Sequence, residues 1–325
     1  MPTSPPTPHT EPPADPYHEP RRENCPWCGG RRLRTRVRAA RGRRSAPGAY
    51  GVDRCRDCGH AFQNPRLTAE GLAFHHMHFY AARLEDFADR VLSARAVRRR
   101  HRAVAHAVLP LAEPESWLDV GTGHAQFPKT AREVFPYTCF DGLDATARVK
   151  QAAQAGRVEE AHIGDLTNPW VLSCLHARYD VVSMLRHLEH APDPRAELRA
   201  ALDTLRPGGL LLLELPDPRS VFAALLGRWW LPHSQPRQLH LLPLRNLCQE
   251  LEAQGCTILT KDRRAAHLPY DLSAALTLFL ARAPRPLRWA LGPLVTAASA
   301  LDHALAPVLR RSPFSNAYRI IARRT

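Results

Sequence analysis

The stretch Trp117-Leu118-Asp119-Val120-Gly121-Thr122-Gly123-His124-Ala125-Gln126-Phe127 opens as a short apolar run, turns at two glycines and continues into a helical pattern. An apolar run this short, without alternation, suits a strand buried on both faces, as in a parallel sheet. Gly121 and Gly123 lack a Cβ, so the backbone there can take positive φ and come close to a ligand. A glycine turn between strand and helix marks a nucleotide site at the carboxyl end of a parallel sheet, although ordinary βα units also turn on glycine.

From Glu115 the pattern alternates strand and helix. Strands are expected over 116–121, 138–143, 159–164, 179–185 and 208–215, with helical segments between most of them. A helix over 243–254, a strand over 256–262 and a last strand Ala317–Ala322 follow. This alternation predicts an α/β fold with a doubly wound, mostly parallel sheet. Three strand ends carry acids. Asp119 closes the first strand beside the glycine turn, Asp144 closes the second in Gly142-Leu143-Asp144, and Asp165 follows the third in Gly164-Asp165. A carboxylate at Asp144 can accept from two ribose hydroxyls, and one at Asp165 from an adenine amino group. Each alone could be a helix N-cap; all three on successive strands point to one nucleoside ligand.

Residues 115–262, with a final strand at 316–324, resemble the class I S-adenosylmethionine-dependent methyltransferases. Asp119-Val120-Gly121-Thr122-Gly123 matches that family's first motif, with Ala125 standing where a third glycine is usual. Tyr179-Asp180-Val181-Val182-Ser183-Met184-Leu185-Arg186-His187-Leu188-Glu189-His190-Ala191-Pro192-Asp193-Pro194 is similar to the fourth-strand motif of ubiquinone-biosynthesis-type methyltransferases. Leu205-Arg206-Pro207-Gly208-Gly209-Leu210 through Pro216 is similar to their fifth-strand motif. The resemblance implies a Rossmann-like fold, S-adenosyl-L-methionine as cofactor, and Asp119, Gly121, Thr122, Gly123, Asp144 and Asp165 around it. An acid beside the glycines suits a cationic sulfonium and amino group. It would repel a pyrophosphate, which makes a dinucleotide dehydrogenase the weaker choice.

Methyl transfer is an in-line displacement for which positioning supplies much of the rate. A hydroxyl nucleophile also needs a base, and histidine is suited by its pKa. His190 lies just past the fourth strand and His187 one turn earlier. Glu189 could orient either, or bind a metal as in some related quinone methyltransferases. His240, in Gln238-Leu239-His240-Leu241-Leu242, falls where similar enzymes carry a substrate-facing histidine. Any of the three could instead cap a helix or be satisfied in a loop. The expected activity is methylation of a small molecule (a sugar, lipid or secondary metabolite), at oxygen.

Ahead of this unit stand Cys25-Pro26-Trp27-Cys28-Gly29 and Cys55-Arg56-Asp57-Cys58-Gly59-His60. Two CxxC pairs, each followed by glycine, offer four thiolates in a tetrahedron, a closed and therefore structural Zn²⁺ site. This predicts a zinc ribbon over 21–67, with a long hairpin between its knuckles. A zinc ribbon ending in Asn64-Pro65-Arg66 before such a domain resembles a group of bacterial methyltransferases that modify sugars, lipids and natural products.

The chain of 325 residues carries a formal net charge of +14. Only Lys129, Lys150 and Lys261 are lysines, a skew that a GC-rich genome explains as well as phosphate binding does. Yet residues 21–66 hold 13 arginines against Glu23, Asp53 and Asp57. That basic ribbon leaves a second function open, an RNA methyltransferase that grips phosphates through it. Residues 1–20 are proline-rich and read as a disordered tail. Residues 68–112 read as a helical lead-in, with His75, His76 and His78 clustered but lacking a matching carboxylate, and Tyr80 able to reach over a cofactor. Residues 265–315 form a Leu- and Ala-rich insertion that fits a lid, a peripheral membrane contact or ordinary packing and dimer helices. No secretory signal opens the chain, and no apolar run reaches the roughly 18 residues of a span. The expectation is a cytoplasmic protein whose cysteines serve as thiols or metal ligands.

Overall fold

A computed structural model describes residues 16–38, 51–75, 94–234, 238–264, 266–281, 283–312 and 314–325. β1 (Leu33–Arg38) and β2 (Gly51–Cys55) pair antiparallel, and β3 (Ala61–Gln63) adds to β2. Arg34, Arg36 and Arg38 face solvent while Val37 is buried, the period of two expected of a strand wet on one face. The hairpin between the CxxC pairs is therefore present; residues 39–50 of its loop lie outside the described residues. So do His76, His78 and Tyr80. α1 (Ala69–His75) and α2 (Ala94–His106) follow.

The tail expected to be disordered over 1–20 is described from residue 16, and there it is tied down. The Glu19 N–H donates to the Arg66 carbonyl and the Thr68 N–H to the Tyr17 carbonyl. The Arg66 guanidinium also pairs with the Glu19 carboxylate. Backbone and charge partners from residues 66–68 order a segment whose composition lacks apolar surface of its own.

Next come β4 (Ser116–Val120), α3 (Gln126–Ala131), β5 (Cys139–Asp144), α4 (Arg148–Gln154), β6 (Ala161–Ile163), α5 (Pro169–Leu175), β7 (Tyr179–Leu185), α6 (Pro194–Thr204) and β8 (Leu205–Pro216). They lead into α7 (Val221–Leu226), α8 (Leu231–Ser234), the two-residue β9 (His240–Leu241), α9 (Leu244–Ala253), β10 (Cys256–Asp262), α10 (Asp271–Leu280), α11 (Arg285–Leu309) and β11 (Ala317–Arg324). The large sheet has the order β10-β11-β8-β7-β4-β5-β6. Only β11 runs against its neighbours, β8 and β10. The strand order reverses at β4, and the crevice at the carboxyl end of such a strand is where these sheets bind ligands. The glycine turn stands there.

β8 explains why both faces are covered. Leu210 and Leu212 pack with Trp117, Phe127 and Phe140 under α2 and α3. Leu211, Leu213 and Leu215 alternate to the other face, toward Leu198 of α6 and Leu247 and Leu251 of α9. That second core also contains Cys25, Trp27 and Phe62, and β9 pairs with β3 through Phe62 and His240. The small sheet is thus an extension of the larger core. A buried ion triad locks the far strand: the Glu214 carboxylate of β8 lies 2.9 Å from the Arg319 guanidinium of β11 and also pairs with Arg100 of α2. Burial alone would raise the Glu214 pKa, but the two guanidiniums outweigh it and hold it at about 2.

Candidate active site

Gly121 and Gly123 have φ of 73° and 53°, the left-handed region that a Cβ disfavours. The N–H groups of Gly121 and Thr122 both donate to the Leu143 carbonyl, at 2.8 and 3.2 Å, which stitches the bend to β5. Gly142 is glycine because a Cβ there would come within 2.8 Å of the Thr122 methyl. A Cβ on Gly121 would lie 2.4 Å from His187 Nδ1, whereas one on Gly123 would meet no protein atom within 4 Å. The bend is therefore closed on its His187 side and open at Gly123.

Two of the strand-end carboxylates, Asp119 and Asp144, meet at this bend, and Asp165 lies within electrostatic reach of His187 on its closed side. Asp119 is buried and accepts from the Ser183 hydroxyl at 2.6 Å; the Trp117 indole N–H donates in turn to Ser183 Oγ at 2.9 Å. Burial pushes the Asp119 carboxyl up to about 6, against that hydrogen bond. Asp144 reaches across from β5, its Oδ2 accepting from the Gly123 N–H at 2.9 Å. Its Oδ1 accepts from the Thr146 N–H at 2.8 Å and the Thr146 hydroxyl at 2.6 Å. A carboxylate has about four acceptor sites, so Asp144 retains capacity for about one more donor. Asp165 is raised by burial and by Glu197, with His187 opposing.

His187 is the hub of the group. Its Nε2 lies 3.0 Å from Oε1 of Glu197, a buried residue in the first turn of α6. Burial works against a charged His187, but Glu197, Glu189 and Asp165 together raise its pKa. His190 sits in the half-buried turn after β7, its N–H donating to the His187 carbonyl at 2.9 Å. His240 lies behind that turn, beside Pro192. It is buried in β9 at the seam of the two sheets, its Nδ1 3.2 Å from His60 Nε2 and the two rings stacked at 5.2 Å. Burial drives its pKa down to about 4, so the ring is neutral.

Several residues here carry no signal readable from sequence beyond the fourth-strand motif. Arg186 follows β7 with φ of 61°, a left-handed residue that is not glycine. Its Nε lies 3.2 Å from Oε1 of the fully buried Glu189. Tyr270, at the start of α10, is buried within electrostatic reach of both. Gln238 adjoins them, since the Leu239 N–H donates to the Glu189 carbonyl at 3.0 Å. Gln238 is buried, and neither atom of its amide finds a hydrogen-bond partner among the described residues. Glu197, Gln238 and Tyr270 arrive from three separate elements, so only tertiary structure brings them in.

The four cysteines form a second site. Sγ separations are 3.7 Å for Cys25 to Cys58 and 3.6 Å for Cys28 to Cys55, and all four sulfurs lie within 4.8 Å of one another. A tetrahedral ion with Zn–S of about 2.3 Å sets sulfurs roughly 3.8 Å apart, so the spacing fits. The Trp27 and Asp57 N–H groups each donate to a knuckle sulfur at 3.4 Å. His60 Nδ1 lies 3.6 Å from Cys25 Sγ, which links the cysteine cluster through His60 to His240.

A seven-stranded sheet with one reversed strand and an acid-ringed glycine bend at its switch point define an S-adenosylmethionine-dependent methyltransferase of class I. Residues 93–261, which are 169 of 325, match the family described as a methyltransferase domain, and the chain belongs to that family. The ubiquinone biosynthesis O-methyltransferase of Aeromonas salmonicida is 31% identical over 96 residues, which cover 28% of this chain and 40% of that protein. Its counterpart in Escherichia coli O6:H1 is 28% identical over 162 residues, 47% of this chain and 65% of that protein. The chain thus spans less than two thirds of either relative. The plantazolicin methyltransferase BamL, solved with a triazolic desmethylPZN analog and SAH, superimposes with a TM-score of 0.50 at 13% identity. The match covers 77% of this chain and 92% of that one, a likeness of fold.

Proposed function

We propose that this methyltransferase transfers its methyl group to an oxygen of a small molecule, a sugar, lipid or secondary metabolite. The observation that supports the reading is the pairing of Asp119 and Asp144 at a bend left open at Gly123, with Asp165 within electrostatic reach of His187 beside it. Asp119 would meet the cofactor's cationic end, Gly121, Thr122 and Gly123 its backbone-facing side, Asp144 a ribose hydroxyl and Asp165 the adenine amino group. Bound there, S-adenosylmethionine supplies an electrophilic methyl on a good leaving group. The chain's own task is to align the acceptor and take its proton.

His190 is assigned as the base, being half-buried at the carboxyl end of β7 beside Arg186 and Glu189. His187, paired to Glu197 and with a raised pKa, is better suited to holding a positive charge that sets the field around the bend. His240, neutral and stacked on His60, is assigned to the seam. Arg186, Glu189, Gln238 and Tyr270 would line the acceptor side. An unpaired buried amide costs about 1–3 kcal/mol, and acceptor hydroxyls would supply the missing partners. Zn²⁺ on Cys25, Cys28, Cys55 and Cys58 is assigned a structural role.

The test is transfer of labelled methyl to host extract split into RNA, lipid, glycan and small-molecule pools. Label in one of the last three supports the reading. Label confined to RNA overturns it in favour of RNA methylation, for which the exposed arginines of β1 would be the grip. His190→Ala should abolish turnover with cofactor affinity unchanged; full turnover removes it as base.

A further inference from the structure

α11 spans 25 residues, roughly 37 Å. One side packs on α10, where Asp302 accepts from the Leu272 and Ser273 N–H groups at 3.1 and 2.9 Å and Ala306 is buried. A flanking side is open: Leu287 is 41% exposed, Leu294 50%, Leu301 49% and Val308 65%. These four recur every seven residues, so they fall in one line along the helix. Exposed Ala290, Ala297 and Ala304 lie between them. With Leu305, the stripe presents on the order of 500 Å² of apolar surface, the upper end of what a monomer exposes.

Charge brackets the stripe without entering it. From 289 to 309 the ionisable side chains are Asp302, buried against α10, and His303, whose Nδ1 bonds the Ser299 carbonyl at 2.8 Å. Arg288 stands at one end, Arg310 and Arg311 at the other. Arg99 of α2 lies within electrostatic reach of Arg310 and widens that rim. The carboxylates of residues 266–312 are Asp271 and Asp302, both buried.

We propose that this face rests on an anionic lipid bilayer, with the leucines in the acyl boundary and the arginines on lipid phosphates. The competing occupant is a second copy of the chain, which the seven-residue spacing alone would permit. An antiparallel pair would set the Leu287 end of one copy against the Val308 end of the other, bringing Arg288 onto Arg310 and Arg311. A parallel pair would bring like ends together. Either way arginine meets arginine with no exposed carboxylate in the segment to offset it, whereas an anionic surface complements both ends. No helix of the described residues is long and apolar enough to cross a membrane, so the contact lies along the surface. α10, the other half of this layer, begins beside Tyr270, so the same pair of helices joins the bilayer face to the acceptor side.

The test is flotation of the full chain with vesicles of phosphatidylcholine alone and with equimolar phosphatidylcholine and phosphatidylglycerol. The chain should float with the mixed vesicles, stay behind with the neutral ones, and be released by salt. Leu294→Glu with Leu301→Glu should abolish flotation while the thermal melt and cofactor calorimetry hold. Arg288→Glu and Arg311→Glu, surface changes that leave the packing intact, should each lower the bound fraction about fivefold. Failure of the wild type to float, or flotation that survives the double variant, overturns the proposal. A wild-type dimer in light scattering that the double variant converts to monomer, with no vesicle binding, assigns the face to a second copy instead.

Discussion

Burial holds the Asp119 carboxyl at about 6, and a cation bound beside it would draw it down. Binding therefore favours the ionised form, and the sign follows. Cofactor affinity should be flat above pH 6 and weaken below it, approaching tenfold per pH unit. Calorimetry across that range checks this, and Asp119→Asn should remove the pH dependence along with much of the affinity. The two glycines should separate fold from binding. Gly121→Ala drives a Cβ to 2.4 Å from His187 Nδ1 at φ 73°, so it should cost about 1–3 kcal/mol of stability as well as cofactor binding. Gly123→Ala meets no protein atom. It should cost only the left-handed strain of about 1–2 kcal/mol, yet lose affinity at least tenfold because the added methyl enters the cofactor's space. A larger stability loss in Gly123→Ala than in Gly121→Ala, or unchanged cofactor affinity in Gly123→Ala, would contradict this. Asp119, Asp144 and Asp165 were legible because each sits where a strand pattern stops. Glu197 and Gln238 were not, because nothing within their own helix or loop distinguishes them from surface polar residues.

β8 and β11 carry a charge where their neighbours carry leucine and isoleucine. Glu214 is buried with Arg319 and Arg100 around it, and its pKa is held at about 2. Arg319→Ala would leave a buried carboxylate with one partner, which should cost about 3–5 kcal/mol in denaturant unfolding. A carboxyl held below its unfolded value contributes stability above that value and loses it as pH falls. The wild type should therefore lose stability from about pH 4.5 down to about 2, and Arg319→Ala should lose less over that window. The strands themselves were readable, since buried parallel strands write themselves as short apolar runs between turn residues. β9 was not. A two-residue strand has no periodicity, and its pairing partner, β3, lies some 180 residues back in the chain. The resemblance expects a substrate-facing histidine at His240; the burial of that ring and its stacking on His60 depend on a contact that no local pattern encodes.

At the scale of the whole molecule, the question is whether the cysteine ribbon is a separate bead or part of the catalytic unit. Cys25, Trp27, Cys55 and Phe62 belong to the same buried cluster as Leu198, Leu242 and Leu247. The Arg195 guanidinium of α6 lies over the Trp27 ring at 4.3 Å, and β3 pairs with β9. A ribbon used only to grip RNA would need none of these. The knuckles instead cover one end of the core behind α6, the helix that carries Glu197 to His187. Without an ion, the four sulfurs packed within 4.8 Å lose the ligation that holds them together, and the ribbon that they close must loosen. Chelation should therefore release one Zn²⁺ per chain and lower the midpoint of a single cooperative melt, since the loosened face is shared core. Cys55→Ser should do the same without chelator. Cofactor affinity should fall in both cases, because Glu197 loses the packing behind its helix. Two resolved transitions, with the later one and cofactor binding unmoved by metal removal, would instead make the ribbon an independent module.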